Sequence, residues 1–208
     1  MKPLKMIVFD VVCMNTWMKE LTIEMKNRFN ELLSSVKRPG IPELMGWLAG
    51  SDFYTAPAST RYHGACDGGL LLHSLTVCTA LQGIIKDYGL NVKPESAIMC
   101  GLLHDVCKVR FYKTSTRNVK NAAGVWEQKP YYEIDDQFPM SHGAKSVYII
   151  NEFTRLTVEE AMAIHWHMGA WNATEYGDRS ALSAAMEKYP LTLALQMADQ
   201  MATFWEKK

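Results

Sequence analysis

The sequence of 208 residues lacks an excess of either charge. Lys plus Arg number 22, and Asp plus Glu number 22, so composition gives no general reason to expect nucleic acid or an anionic membrane as a partner. Long apolar runs are also absent, and none is long enough to span a bilayer. The short apolar run at the N-terminus contains Asp10 and has no convincing signal-peptide cleavage site. We therefore expect a cytoplasmic protein with no membrane partner.

Paired cysteines are missing as well. The sequence contains an odd number of scattered cysteines and no C-x-x-C pair; they are Cys13, Cys66, Cys78, Cys100 and Cys107. This pattern argues against a disulfide framework and against a cysteine zinc site. We expect buried, reduced thiols.

Repeats and low-complexity segments are not found, and the chain is long enough for one sizeable core. From Thr16 to Val36, apolar residues recur at three- and four-residue steps, which predicts a helix. Residues 6–12 could be a short strand or the start of that helix. Pro42 and Pro94 each open a further predicted helix, and another predicted helix, beginning near residue 70, ends at Gly89.

The second half of the chain contains a segment whose residue pattern differs from that of the predicted helices. Short stretches with Val, Trp and Tyr flank a predicted turn at residues 121–124, which indicates a β-hairpin over about residues 116–135. Helical patterns then resume, and one helix opens with a capping box formed by Thr157 and Glu160. The last predicted helix starts at Pro190. Because strands and helices do not alternate, we predict an all-α bundle with one inserted hairpin.

Residue types that bind metals occur within otherwise apolar helices. In the stretch "GLLHDVCK", His104 and Asp105 end an apolar run. Asp199 shares a side of its helix with Leu195 and Ala198, so we expect its side chain to point inward. A buried carboxylate needs a cation or strong hydrogen-bond donors, and a metal ion would supply the cation.

Taken singly, these residues have ordinary explanations. A lone histidine is more often a core or surface residue than a ligand, Asp199 could pair with an arginine, and His104 could bond to Asp105. Taken together, five predicted helices each present a ligand-type side chain, and helical bundles commonly build metal sites in this way. In chain order the residues are His73, His104 with Asp105, His142, His165 with His167, and Asp199.

This ordered set resembles the HD-domain superfamily of metal-dependent phosphohydrolases. The segment "LLHDVCKV" is similar to the signature "LLHDIGK" of that superfamily. The segment "APASTRYHGACDGGLLLHSL" resembles the HD domain of YhaM-type 3′–5′ exoribonucleases, although Leu72 stands where those proteins usually have Glu. The resemblance covers about residues 55–200. It implies an HD-domain helical bundle, which we assign to residues 51–208. Residues 1–50 carry none of the resemblance, and their apolar spacing predicts a helical lead-in.

The resemblance also implies one or two divalent metal ions. Asp105 would bridge the two ions, and the implied ligands are His73, His104, Asp105, His142, His167 and Asp199. The late histidine pair is usually adjacent, whereas this chain has "HWHMG"; alignment on the glycine selects His167 and leaves His165 as an extra residue. Imidazole-rich sites favour Mn, Fe, Co, Ni or Zn over Mg.

The implied activity is hydrolysis of a nucleotide or another small phosphoester by a water that the metal activates. Asp105 and Lys108 are the expected catalytic residues. Lys108 lies one predicted helical turn beyond His104 and is expected to bind the substrate phosphate, although a lysine at a helix end could equally be a surface residue. His63, in a glycine-rich loop, could contact the substrate or orient a ligand, or could be a plain loop histidine.

Other activities remain open on the same residues. A 3′–5′ exonuclease acting on single-stranded nucleic acid fits the flanking segment, but the balanced charge and the missing OB domain do not favour it. A di-iron HD-type oxygenase uses the same order of ligands, and a non-catalytic binding module would keep the metal. A homo-oligomer is possible. We expect Trp166 and Trp171 to pack in the core rather than to stack on a base.

Overall fold

The computed structural model describes residues 11–173 and 175–205 and is mostly helical in that part of the chain. The helices are α1 Val11–Ser35, α2 Ile41–Ala49, α3 Gly69–Asp87, α4 Pro94–Leu103, α5 His142–Asn151, α6 Val158–Trp166, α7 Asp178–Lys188 and α8 Pro190–Trp205. Two strands, β1 Tyr112–Lys120 and β2 Trp126–Ile134, form one antiparallel hairpin. The prediction of a helical chain with one small hairpin is confirmed. Residues 6–10, where a strand or helix start was considered, lie outside the described residues.

The hydrophobic core is centred on α3, which packs against α4 and α8. α6 packs on both α8 and α5, so it connects α5 to the same bundle. Phe29 and Leu33 of α1 are fully buried in the core that also contains Leu70 and Leu71 of α3. α1 therefore adds apolar surface to the core, and the division of the chain at residue 50 stays a prediction.

α3 is the one described helix that is long and apolar enough, by length and composition, to cross a membrane. Half of its most apolar window is buried inside the protein, and it carries buried His73 and Ser74. Core helices commonly have the same composition. The absence of a membrane partner stays a prediction.

Several helix ends lie where the sequence signals placed them. Pro42 stands at the second position of α2, and Pro94 begins α4. Gly89 follows α3 with a φ of 60°, a left-handed conformation that glycine adopts without strain. The capping box of α6 is present in full, with reciprocal bonds between Thr157 and Glu160.

The helix predicted through Lys108 is shorter than expected. α4 ends at Leu103, and Asp105 has left the helical region with φ −105° and ψ 16°. A single 3-10 turn, Val106–Lys108, follows. The prediction that Lys108 continues the helix of His104 is therefore wrong, because the chain bends at the His–Asp pair.

The hairpin begins at Tyr112 rather than near residue 116. Tyr112 pairs with Ile134, and the register continues without a bulge to Lys120 and Trp126. At the turn, the side-chain oxygen of Asn121 accepts hydrogen bonds from the backbone N–H groups of Ala123 and Val125. This turn lies at the predicted place.

Two features near the end of α6 differ from expectation. The predicted helices did not include α7, whose Leu182 and Ala185 form a small second cluster with Trp166. Trp166 is buried as expected, but Trp171 is 85% exposed. The expectation of core packing is thus wrong for Trp171, which stands in a short 3-10 turn over Gly169–Asn172.

Candidate metal centre

The structure brings the six predicted ligand residues together around Asp105. They come from separate parts of the fold: His73 from α3, His104 and Asp105 from the two positions directly after α4, His142 from the first position of α5, His167 from the position directly after α6 and Asp199 from α8. All except His142 are buried. The donor atoms form overlapping groups that could hold a metal ion.

One oxygen of Asp105, Oδ2, faces a group that we call the inner half, defined as His73, His104 and Asp199. Oδ2 lies 3.5 Å from His73 Nε2 and 3.6 Å from His104 Nε2. The two imidazole Nε2 atoms are 3.3 Å apart, and His73 Nε2 lies 3.1 Å from Asp199 Oδ1. The inner half therefore presents two imidazole nitrogens and a carboxylate oxygen to one small volume.

The other oxygen, Oδ1, faces the outer half, defined as His142 and His167. Oδ1 lies 2.6 Å from His142 Nε2 and 3.4 Å from His167 Nε2. Asp105 thus directs one oxygen to each half. That is the arrangement that a bridging carboxylate requires.

Backbone carbonyls fix the direction of two of the rings. His104 Nδ1 lies 3.0 Å from the carbonyl of Gly101, and His167 Nδ1 lies 2.6 Å from the carbonyl of Ile164. Because a carbonyl only accepts, each Nδ1 carries the hydrogen, and each Nε2 is left with a lone pair directed at the cluster. His167 Nε2 is buried without a hydrogen-bond partner. Such a nitrogen fits a divalent cation.

The protonation states of His104, Asp105 and Asp199 suit metal binding. Burial, the largest cause, lowers the pKa of His104 to about 3, so the ring is neutral at physiological pH. Burial acts to raise the pKa of Asp105, but Lys108 and His104 outweigh it and hold the pKa well below its usual value. For Asp199, burial is likewise outweighed, chiefly by the hydrogen bond with His73, and the pKa is about 2. Neutral imidazoles and charged carboxylates are the forms that bind metals.

Close backbone contacts position His142 and His63. Gly143 lies against the carbonyl oxygen of His165, where an added Cβ would stand only 2.1 Å away. This contact lets the start of α5 approach the end of α6. Gly64 and Gly69 touch in the same manner, which folds the glycine-rich loop back on itself and places the His63 ring 4.9 Å from the ring of His73.

Of the remaining predicted residues, Lys108 lies beside Asp105 and His165 lies outside the cluster of donor atoms. Lys108 is buried, and its Nζ lies 2.6 Å from Asp105 Oδ2. His165 takes no part in the described donor groups; its ring stands edge-on against Trp166 at 4.4 Å, and its backbone carbonyl accepts a bond from Asn172.

Sequence reasoning missed two neighbours of the cluster. Cys107 Sγ lies 3.3 Å from His142 Nδ1 and forms a donor group with Asp105 and His142. Its position in "HDVCK", where the superfamily signature has glycine, was the available signal. Tyr112 interacts electrostatically with Lys108 and Asp105 and was missed because the hairpin was predicted to start later.

A scan against protein-family models matches the HD domain over residues 70–203. Comparison with curated proteins and with solved structures found no match. The finer resemblance to YhaM-type exoribonucleases therefore has no support beyond the HD domain itself. The matched segment covers more than half of the chain and contains all six predicted ligands. The chain belongs to the HD domain family, a superfamily of metal-dependent phosphohydrolases.

Proposed function

We propose that the chain hydrolyses a nucleotide or another small phosphoester, with two divalent ions held by the inner and outer halves. The observation that carries this proposal is the division of the Asp105 carboxylate, with one oxygen toward each group of histidines. A carboxylate shared in this way is typical of sites that hold two nearby ions for phosphoryl chemistry.

The donor set suits borderline metals. His73, His104 and Asp199 would hold one ion, His142 and His167 the other, with Asp105 between them. Imidazole-rich sites favour Mn, Fe, Co, Ni or Zn over Mg. When bound, such ions supply a water of lowered pKa and positive charge for the phosphoryl oxygens.

The chain supplies further charge and hydrogen bonds at the same place. The Lys108 ammonium, next to Asp105, would neutralise an oxygen of the substrate phosphate. Burial, the largest cause, lowers the pKa of His63 to about 4, so this ring is neutral. Its Nδ1 is buried without a partner. We assign His63 a hydrogen bond to the substrate rather than a charge.

The first experiment is elemental analysis of the purified chain, with metal counted per molecule, followed by a substrate panel in the presence of Mn²⁺. The panel contains phosphomonoesters, cyclic dinucleotides and nucleoside triphosphates. We expect phosphate release from at least one class and its loss in His104→Ala. The matched control is His165→Ala, which removes an imidazole that packs on Trp166 outside the cluster and should retain activity.

Other outcomes would replace the proposal. Bound iron with oxygen consumption and no phosphate release would assign the centre to an oxygenase. Bound metal without turnover of any member of the panel would indicate a binding module. Equal losses of phosphate release in His104→Ala and His165→Ala would show that hydrolysis does not depend specifically on the cluster.

A further inference from the structure

The β-hairpin has two faces of different chemistry. Because residues paired across the strands share a face, the register places Tyr112, Lys120, Trp126 and Tyr132 on one face, which we call the aromatic face. Both carboxylates of the strands, Glu127 and Glu133, lie on the opposite face together with Lys113, Arg117 and Lys129. The aromatic face therefore carries no acidic side chain.

The base of the aromatic face adjoins the loop that carries His63. The hydroxyl of Tyr112 lies 3.4 Å from the carbonyl oxygen of Ala58, and Tyr112 also interacts electrostatically with Lys108 in the metal centre. Tyr132 interacts with Asp67 of the same loop. The face thus begins beside the metal centre.

The tip of the aromatic face offers a stacking surface. Trp126 is 64% exposed, and the ammonium of Lys120 lies 5.2 Å from the centre of its ring. No acidic side chain among the described residues lies within ion-pair distance of Lys120. An exposed aromatic ring beside an unneutralised cation is the combination that binds an unpaired base and its phosphate.

We propose that the aromatic face binds single-stranded nucleic acid and directs it toward the metal centre. A strand of nine residues spans about 30 Å, a length that suits a site of about four or more nucleotides. Phosphates are repelled by carboxylates, so the nucleic acid is assigned to the face whose strand residues include no carboxylate; Asp67 of the neighbouring loop borders this face at its base, beside Tyr132. The balanced charge of the whole chain does not oppose this, because the two acids of the hairpin lie on its other side. The guiding role rests on the proposed phosphohydrolase function, whereas the binding itself does not.

The test is fluorescence anisotropy of the metal-loaded chain with a labelled oligothymidylate of about 12 nucleotides, its integrity checked on a gel after the titration. Trp126→Ala should weaken binding about tenfold. Lys120→Ala should lower the slope of log affinity against log salt by about 1. The matched control is Lys129→Ala, which removes the same charge from the opposite face and should leave binding unchanged.

Three results would overturn the proposal. The first is no anisotropy change with the unaltered chain at low salt, and the second is equal weakening of binding by Lys129→Ala and Lys120→Ala. The third is sedimentation as a dimer by the unaltered chain and as a monomer by Trp126→Ala, which would show that this face joins two copies of the chain. The substrate panel of the proposed function separates the two ideas. Oligonucleotide binding without turnover of any member of that panel rejects only the proposed function, and turnover without oligonucleotide binding rejects only this inference.

Discussion

The inner half of the metal centre is built from helices that pack on one another, whereas the outer half is built from two helix ends that meet. α3 contacts both α4 and α8 in the core, so His73, His104 and Asp199 share the rigidity of that core. His142 begins α5, and its side chain is 26% exposed. His167 follows the last residue of α6. The geometry of the outer half therefore depends on one crossing point rather than on a packed interior.

Asp105 belongs to both halves, so its loss should have the largest effect. Asp105→Ala removes the oxygens that face both groups of histidines. Under the proposed two-ion occupancy, we expect both ions to be lost. The proposed hydrolysis should then fall by at least about 100-fold, because losing even a residue that only supports a metal ligand costs up to about that factor. Metal analysis and initial rates would check this. Retention of one full equivalent of metal would contradict this, because it would show that one half binds its ion without Asp105.

Arg38 connects the scaffold behind the two halves. Its guanidinium bonds both oxygens of Glu160 on α6, at 2.6 and 2.7 Å, and one oxygen of Glu95 on α4, at 2.9 Å. Arg38→Met should lower the free energy of unfolding by about 3–5 kcal/mol, because it leaves a buried carboxylate unpaired. Urea unfolding measures this loss.

The control for Arg38 is Lys37→Met, an exposed neighbour that should change stability little. Metal content at native conditions should remain normal in both variants. A metal loss confined to Arg38→Met would mean that the scaffold also sets the geometry of the centre.

Gly143→Ala targets the outer half alone. The new Cβ would collide with the His165 carbonyl and push α5 away from α6. We expect a loss of about 1–3 kcal/mol in unfolding free energy and release of the outer ion while the inner ion stays. Metal titration followed by calorimetry would resolve the two ions.

Gly83→Ala is the matched substitution for Gly143→Ala. Gly83 lies within α3, and a Cβ there meets nothing within 4 Å. This variant should gain about 0.5–1 kcal/mol and keep both ions. A similar metal loss in the two variants would contradict the role given to the crossing of α5 and α6.

The smallest expected effect is on pH dependence. Burial acts to raise the pKa of Glu160, but hydrogen bonds from Arg38 outweigh it and lower the pKa below its usual value. The stability that this shift contributes is fully present above the pKa of Glu160 in the unfolded state. It is lost as pH falls through the lower pKa of Glu160 in the folded state. Urea unfolding measures the free energy of unfolding of the unaltered chain and of Glu160→Gln at decreasing pH. The difference between these two free energies should become smaller below about pH 4.3. A constant difference would contradict this.

Local signals in the sequence carried much of the fold. The capping box at Thr157 and the prolines at 42 and 94 mark helix starts because their effects act within one turn of backbone. The order of histidines and aspartates in apolar settings indicated the cluster, since buried polar groups need partners. The structure brings those residues together, and their binding of metal stays a prediction.

Features that depend on tertiary contacts were not predictable in the same way. α4 ends at Leu103 although "LLHDVCK" continues a helical pattern, because the chain bends to turn Asp105 toward four rings. α7 was missed because only Leu182 and Ala185 are buried on it. The pairing of Tyr112 with Ile134 has no local signature, so the start of the hairpin and the proximity of Tyr112 to Lys108 were missed.

The divided carboxylate of Asp105 has a thermodynamic consequence. Under the proposed occupancy, each ion withdraws electron density from a group that the other ion also uses, and the two cations repel. Occupancy of one half must then weaken affinity for the other, and linkage requires the same factor in both directions. Metal titrations of this chain should therefore show negative cooperativity, with the tighter ion seated among the core helices.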